Sequence, residues 1–200
     1  MSGAEGRIRA ALLELACERG YRALSVAEVC RRAGVGEARF RAHFGSLEEC
    51  ALALFDEIEV ELKSRIDSAY GSRPVWPDSL RAASYAVADW IEENPCEARF
   101  GSVEMLWVSE LAQARREAAY LQFVGLIDAG RLVASDPDSI PATTAESVIG
   151  SIAGLVTKGL QGGELEPRAL VPELMCLAVR PYLGREAAER ELEIRPELGA

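Results

Sequence analysis

The spacing of apolar residues predicts helices along the whole chain. In residues 6–19 the apolar positions recur every three to four residues, so they fall on one face of an amphipathic helix that ends at Gly20. That face is formed by Ile8, Leu12, Leu15 and Ala16. We find no sustained alternation of apolar and polar residues of the kind that indicates strands. The pattern predicts an all-α fold of about nine helices.

A capping signal marks the start of the second helix. In SVAE, residues 25–28, the side chains of Ser25 and Glu28 can each bond the other residue's backbone amide, which is a capping box. The helix that follows is expected to end at Gly34. Its predicted buried residues are Val26, Val29 and Cys30.

A short third helix and a long fourth helix complete the N-terminal pattern. Phe40 and Phe44 are four residues apart and therefore lie on one face of the third helix. SLEE, residues 46–49, then caps the fourth helix. The inward residues of the fourth helix are predicted to be Leu47, Leu54, Ile58 and Leu62. Two helices, a tight turn and a further helix indicate a helix-turn-helix.

Glycine and proline divide the rest of the chain into further helices. Breaks are predicted at residues 71–77, 94–95, 135–139 and 161–167. The helices between them are expected at residues 78–93, 96–112, 115–134, 142–160 and 167–183.

Charge is distributed unevenly between the two parts of the chain. Residues 1–50 hold eight arginines and seven acidic residues, a net charge of +1, whereas residues 51–200 carry a net charge of −11. Such an acidic segment repels a phosphate backbone, so any contact with DNA is expected within the first fifty residues. Guanidinium groups are well suited to that contact because they fork onto phosphate or guanine.

The third helix has the composition of a helix that reads the major groove. Val35, Phe40 and Phe44 are predicted to pack inward, which leaves Arg39 placed to bond guanine O6 and N7. The residues predicted to face base edges are Glu37, Ala38, Arg39 and Ala42. The residues predicted to contact phosphate are Ser25, Arg31, Arg32, Gly36, Arg41 and His43.

Residues 7–50 resemble the N-terminal domain of TetR-family transcriptional regulators. The matching positions are Gly20-Tyr21, Ser25-Val26, Ala33-Gly34-Val35, Phe40, His43, Phe44, Ser46 and Glu48. PYLGREAA, residues 181–188, is similar to the end of the last helix in many members. The resemblance implies a helix-turn-helix DNA-binding domain at residues 1–50 and a helical ligand-binding and dimerisation domain at residues 51–200. It also implies a homodimeric repressor that an apolar small-molecule inducer releases from double-stranded DNA at a palindromic operator.

Five positions depart from the usual family pattern, and most of them lie where the family contacts phosphate. They are Leu24, Gly36, Ala38, Arg41 and Leu47. Arg41 adds a charge where a tyrosine is usual, so we interpret the motif as retuned. The alternative is a helical dimer that binds a ligand or a protein partner and whose DNA-binding head is weakened or lost.

The resemblance also implies a ligand site and a dimer interface in the second part. The candidate ligand-binding residues are Tyr85, Trp90, Arg99, Phe100, Glu104, Met105, Trp107, Tyr120 and Phe123. The candidate interface residues are Val148, Ile152, Leu155, Leu160, Leu170, Leu174, Leu177 and Ala178. Ordinary core packing is the alternative explanation for each aromatic residue.

The sequence offers no pattern for catalysis, for a metal or for a membrane. We expect no catalytic residue, no metal ligand and no cofactor, because the single histidine, His43, lies in the DNA-reading helix. Neither a membrane span nor a secretory leader is predicted, which favours the cytoplasm. The odd number and single spacing of the five cysteines predict buried, unpaired thiols in a reducing compartment, with a redox-sensing thiol as the alternative: Cys17, Cys30, Cys50, Cys96 and Cys176. The sequence leaves open whether Cys96, beside Pro95, is accessible enough to react.

Overall fold

The computed structural model describes residues 3–163 and 165–194, and it confirms the all-α prediction over those ranges. The α-helices are α1 (Ala4–Arg19), α2 (Val26–Ala33), α3 (Glu37–Arg41), α4 (Leu47–Gly71), α5 (Asp78–Glu93), α6 (Pro95–Ser102), α7 (Glu110–Leu121), α8 (Val124–Asp128), α9 (Thr144–Gly162) and α10 (Pro167–Glu193). Short 3₁₀ turns occupy Tyr21–Ala23, Glu104–Trp107, Ala129–Val133 and Pro137–Ser139. No described helix is long and apolar enough to cross a bilayer.

The predicted helix from 96 to 112 is interrupted, which corrects the sequence analysis. Helix α6 ends at Ser102, a 3₁₀ turn follows, and α7 begins at Glu110. The Ser109 hydroxyl accepts the Ala112 amide at 3.1 Å and so caps the new helix. A serine followed by Glu110 is a start signal that the sequence analysis overlooked.

The other two corrections concern helix ends. The predicted helix from 115 to 134 is α7, α8 and a 3₁₀ turn in succession. The predicted helix from 167 to 183 continues to Glu193 as α10, with a kink at Gly184, whose φ of 81° favours glycine. Local composition did not reveal this continuation because glycine after an apolar stripe usually ends a helix.

The chain divides into two compact units. The head unit comprises residues up to Glu61 together with Asn94–Glu117, and the body unit comprises Leu62–Glu93 together with the residues from Ala118 onward. The functional division at residue 50 stays a prediction. Within the head unit, the 94–117 segment packs on α1, which also contacts α2 and α3.

Each unit has its own apolar core. The head core includes Ile8, Leu12, Leu15, Val29, Phe40, Phe55, Phe100 and Met105. The body core includes Trp76, Leu80, Ile127, Val148, Val171, Met175, Ala178 and Tyr182. In the body unit Gly130 is essential to this packing, because a Cβ there would lie 2.6 Å from Tyr182 and 2.7 Å from Trp76.

The prediction of five unpaired thiols is wrong for two of them. Cys17 and Cys96 form a disulfide, with their Cα atoms 5.4 Å apart and the two residues 79 positions apart in sequence. The pairing arises because α6 packs against α1, which no local spacing reveals. Cys30 and Cys50 are buried thiols as predicted, and Cys176 is half-buried.

Candidate nucleic-acid interface

Backbone geometry fixes the turn between α2 and α3. Gly34 adopts the left-handed conformation, with φ 64° and ψ 40°, and the Val35 amide donates to the Cys30 carbonyl at 3.0 Å. This is the Schellman arrangement that ends a helix while satisfying its last carbonyls. A side chain at Gly34 would meet open space, so backbone conformation, not crowding, favours glycine there.

The predicted capping box at the start of α2 is present. The Glu28 amide donates to the Ser25 hydroxyl at 3.4 Å, and the Ser25 amide donates to the Glu28 carboxylate at 3.1 Å. The Ser25 hydroxyl also donates to that carboxylate at 2.8 Å. These hydrogen bonds, with that from Arg19, lower the pKa of Glu28.

Helix α3 separates a packing side from an exposed side. Phe40 and Phe44 are buried, with ring centroids 5.8 Å apart, and Val35 is half-buried. The exposed residues are Glu37, Ala38, Arg39, Arg41 and Ala42. The predicted division of faces is thus confirmed, whereas contact with DNA stays a prediction.

The arginines around α3 differ in how much of their charge is available. Arg31, Arg39 and Arg41 are exposed and form no ion pair within residues 3–163 and 165–194. Arg32 instead bonds Glu18 at 2.9 Å through both terminal nitrogens and Glu14 at 3.1 Å. The hydrogen bonds that Arg32 donates to these carboxylates raise its pKa. The same contact lowers the pKa of Glu18. Arg32 reaches a phosphate only if it leaves these partners.

The structure shows the local environment of three other residues that are predicted to contact phosphate. The Ser25 hydroxyl is already bonded to Glu28. His43 Nδ1 lies 4.0 Å from a Glu5 carboxylate oxygen, and its Nε2 is buried with no bonding partner in the described chain. Gly36 precedes α3 with an extended backbone and supplies no side-chain cap.

A buried carboxylate fastens the turn between α1 and α2. Glu104 is 4% exposed, accepts the Tyr21 amide at 2.8 Å and lies 3.4 Å from Arg99. Gly20 has φ 79°, and a Cβ there would lie 3.4 Å from the Glu104 carboxylate. Glu104 is one of the predicted ligand-binding residues, and this structural role was not predicted because Glu104 and Tyr21 are 83 residues apart in sequence.

The candidate ligand residues are distributed over both units. In the head unit Phe100 and Met105 are fully buried, and Trp107 is 52% exposed beneath the Arg22 guanidinium. In the body unit Trp90 is buried, whereas Tyr85, Tyr120 and Phe123 are half-buried. The Tyr85 hydroxyl is buried without a bonding partner among the described residues, while Arg168 lies over its ring.

The candidate dimer residues fall into three groups by exposure. Val148 and Ala178 lie in the body core, so their side chains are not available to a second chain. Leu155 and Leu177 are exposed at 47% and 39%. The half-buried members are Ile152, Leu160, Leu170 and Leu174.

Comparison with known proteins gives a family match for the first part of the chain. Residues 8–54 match the family described as bacterial regulatory proteins, tetR family. The match spans α1, α2, α3 and the start of α4, which includes the whole candidate interface.

Solved structures of similar fold extend the comparison to most of the chain. A fatty acid degradation regulator, FadR, from Bacillus halodurans is 17% identical, with 90% of this chain and 96% of that chain covered at a TM-score of 0.74. A tetR-family regulatory protein from Rhodococcus RHA1 is 23% identical, with 92% and 99% covered at a TM-score of 0.72. These identities establish a shared fold alone.

Proposed function

We propose that the chain, whose residues 8–54 match the tetR family of bacterial regulatory proteins, is a DNA-binding transcriptional regulator that acts in the cytoplasm as a homodimeric repressor. In this proposal its operator is a palindrome in double-stranded DNA, and an apolar small molecule releases it. It is not an enzyme.

The exposed face of α3 carries the proposal. Arg39 and Arg41 project from a helix whose other side is anchored by two buried phenylalanines. We assign base edges to Glu37, Ala38, Arg39 and Ala42, and phosphate contacts to Arg31 and Arg41. Arg32, His43, Ser25 and Gly36 stay secondary candidates for phosphate contact.

The body unit supports the dimer. Leu155 and Leu177 are exposed, and a Cβ at Gly150 or Gly154 would meet nothing within 4 Å, so α9 offers a flat surface for close helix packing. A two-fold dimer presents two recognition helices, which bind half-sites about 34 Å apart along DNA. This spacing explains why the operator is expected to be palindromic.

The effector is proposed to bind among the candidate ligand residues of the body unit, which are Tyr85, Trp90, Tyr120 and Phe123. A buried, unpartnered Tyr85 hydroxyl offers a hydrogen bond within largely apolar surroundings. Because the Bacillus halodurans protein of similar fold is a fatty acid degradation regulator, acyl compounds are a reasonable first class of effector to test. A hundredfold loss of DNA affinity requires the effector to favour the released form by about 2.7 kcal/mol.

The test begins with selection of binding fragments from sheared genomic DNA by the purified chain. The selected fragment is then titrated with salt, using wild type, Arg39→Ala and Arg185→Ala. Arg185 is a matched control, since it is an exposed arginine of α10 paired with Glu189. Arg39→Ala is expected to weaken binding by about 1–3 kcal/mol and relax one base position in each half-site, whereas Arg185→Ala leaves affinity unchanged.

The same selection distinguishes the repressor from the second candidate function, a dimer whose DNA-binding head is inactive. That alternative draws on the missing side-chain cap at Gly36 and the five-residue length of α3. If no fragment is enriched even at low salt, the alternative replaces the repressor proposal. Arg41→Ala adds a second criterion, because loss of one phosphate contact reduces the salt slope by about 1.

A further inference from the structure

Two cysteines join the C-terminal part of α1 to the start of α6. Cys17 lies two residues before the end of α1, Cys96 is the second residue of α6, and their Cα atoms are 5.4 Å apart. Both residues are half-buried, so small reagents can reach the pair. The bond lies within the head unit, about one helical turn from the Tyr21 amide that Glu104 holds.

We propose that Cys17 and Cys96 form a reversible thiol–disulfide switch, oxidised by peroxides and reduced by dithiols, that sets how firmly residues 94–107 are fastened to α1 within the head unit. The effect on DNA rests on the proposed function, whereas the chemistry of the pair does not.

The compartment favours a switching role over a purely structural one. A protein that acts on bacterial DNA works where thioredoxin and glutathione keep most thiols reduced, and disulfides there are usually transient and redox-sensing. A bond that persisted only under oxidation would therefore report the oxidant.

The surroundings of the cysteines select this pair for reaction. Cys30 and Cys50 are buried, and desolvation raises the pKa of the Cys50 thiol to about 12 and also raises the pKa of Cys30, so neither forms thiolate readily. Cys96 lies in the first turn of α6, where the positive end of the helix dipole favours a thiolate. We assign Cys96 as the attacking sulfur and Cys17 as the resolving thiol.

The oxidation is a balanced two-step exchange. The Cys96 thiolate attacks one oxygen of hydrogen peroxide, the O–O bond breaks, and the departing hydroxide takes a proton to become water. The Cys17 sulfur then attacks the resulting sulfenic acid, the S–S bond forms, and the second oxygen leaves as water. Two thiols lose two electrons and two protons, and one peroxide becomes two waters. A dithiol reverses the change by two successive thiol–disulfide exchanges.

The disulfide and Glu104 fasten the same part of the head. The disulfide joins α6 to α1. The 3₁₀ turn at Glu104–Trp107 is joined to the turn after α1 by the hydrogen bond that the Tyr21 amide donates to Glu104. Helix α1 in turn packs on α2 and α3. Reduction leaves only non-covalent contacts between α1 and residues 94–107, so α1 and the α2–α3 turn packed on it are held less firmly, and the fraction of chains with α3 in its binding position falls. Apparent DNA affinity falls in the same proportion.

The first experiment tests the chemistry on the full chain without DNA. One sample is treated with hydrogen peroxide and another with dithiothreitol, and both are then denatured and labelled with iodoacetamide for mass spectrometry. We expect three labels after peroxide and five after dithiothreitol, with the two extra labels on Cys17 and Cys96. Five labels in both samples, or protection of any other cysteine, would overturn the proposal.

The second experiment tests the consequence for the head. Hydrogen exchange at the Tyr21 amide is compared between the two samples, together with affinity for the selected DNA fragment. Reduction is expected to increase exchange at Tyr21 and to weaken DNA binding at least fivefold. Equal affinity in the two states, or tighter binding after reduction, would overturn the switch.

Matched variants separate the switch from general effects of the reagents. The double variant Cys17→Ser, Cys96→Ser is expected to bind DNA with the reduced affinity in both reagents. Cys176→Ser, which alters a half-buried thiol of α10, is expected to respond as wild type does. If no sample binds any fragment, the proposed repressor function fails, and the labels together with Tyr21 exchange still decide whether the pair is a redox switch.

Discussion

The contacts that stabilise the head unit internally differ in kind from those that stabilise the body unit. In the head unit, segments distant in sequence are joined by a disulfide, by the buried Glu104 carboxylate and by ion pairs such as Arg115 with Asp56 at 2.7 Å. In the body unit the corresponding role falls to aromatic packing, in which Trp76 and Tyr182 meet edge to face at 5.3 Å.

The difference determines what can loosen each unit. A disulfide is broken by reduction, and ion pairs weaken with changes of pH or with added salt. Close packing is weakened mainly by substitutions that change side-chain volume. The body unit does contain one buried ion pair, Arg81 with Glu191 at 2.7 Å, which adds to the packing around α5 and α10. The disulfide lies in the unit that carries α3, so that unit has a contact that a change of redox conditions can break.

The largest expected effect comes from adding one methyl group to the body core. Gly130→Ala places a Cβ within 2.8 Å of two aromatic rings, and we expect the free energy of unfolding to fall by about 3 kcal/mol. Chemical denaturation followed by circular dichroism measures the change. Gly125→Ala is the control, since a Cβ there meets nothing within 4 Å. Equal stability of the two variants would contradict the packing difference.

A smaller loss is expected from removing the head unit's buried carboxylate. Glu104→Ala leaves the Tyr21 amide without its acceptor and should lower the free energy of unfolding by about 2 kcal/mol. Glu104→Gln keeps an acceptor oxygen and should lose less. Denaturation of both variants, with amide exchange at Tyr21, distinguishes a lost hydrogen bond from a lost charge. Greater damage from Gln than from Ala would refute this account.

Alkaline pH is expected to destabilise both units through one tyrosine in each, half-buried Tyr21 and buried Tyr182. Desolvation raises the pKa of Tyr21, in the head, and of Tyr182, in the body, to about 12. Because the folded state keeps these protons more tightly, their stabilising contribution is complete below pH 10 and disappears as pH rises toward 12. Across this pH window the free energy of unfolding, measured by chemical denaturation, should change less with pH for Tyr21→Phe and for Tyr182→Phe than for wild type. A wild-type curve independent of pH in that window would exclude this effect.

The smallest expected effect is a gain at the start of α3. Gly36→Ser introduces a capping hydroxyl at a position with extended backbone and open space, and should stabilise the head by a few tenths of a kcal/mol. DNA binding should strengthen as well if the hydroxyl meets phosphate. Thermal unfolding and the salt titration measure the two effects separately. A lower melting temperature would show that the cap does not form.

Short-range signals made the helix-turn-helix predictable. The Ser25–Glu28 capping box, the glycine at the left-handed turn and the spacing of Phe40 and Phe44 each depend on residues within one or two helical turns. These patterns predicted which faces of α2 and α3 are buried. The family resemblance agrees with the matched region 8–54.

Long-range contacts were not predictable from local pattern. The disulfide and the bond from Tyr21 to Glu104 join residues about eighty positions apart, and neither follows a recognisable spacing. The break after Ser102 has the same origin, because the turn that follows places Glu104 against the α1–α2 connection. Gly130 was missed because its meaning depends on Trp76 and Tyr182, which lie on other elements.

The exposed indole of Trp107 gives the protein an intrinsic optical reporter. Trp107 is 52% exposed beneath Arg22, whereas the other two tryptophans, Trp76 and Trp90, are 7% and 2% exposed. A dissolved quencher such as iodide therefore reaches Trp107 first, and the long-wavelength side of the emission comes chiefly from this one ring. Since Trp107 ends the turn that carries Glu104, its emission follows movement of that turn without any attached dye.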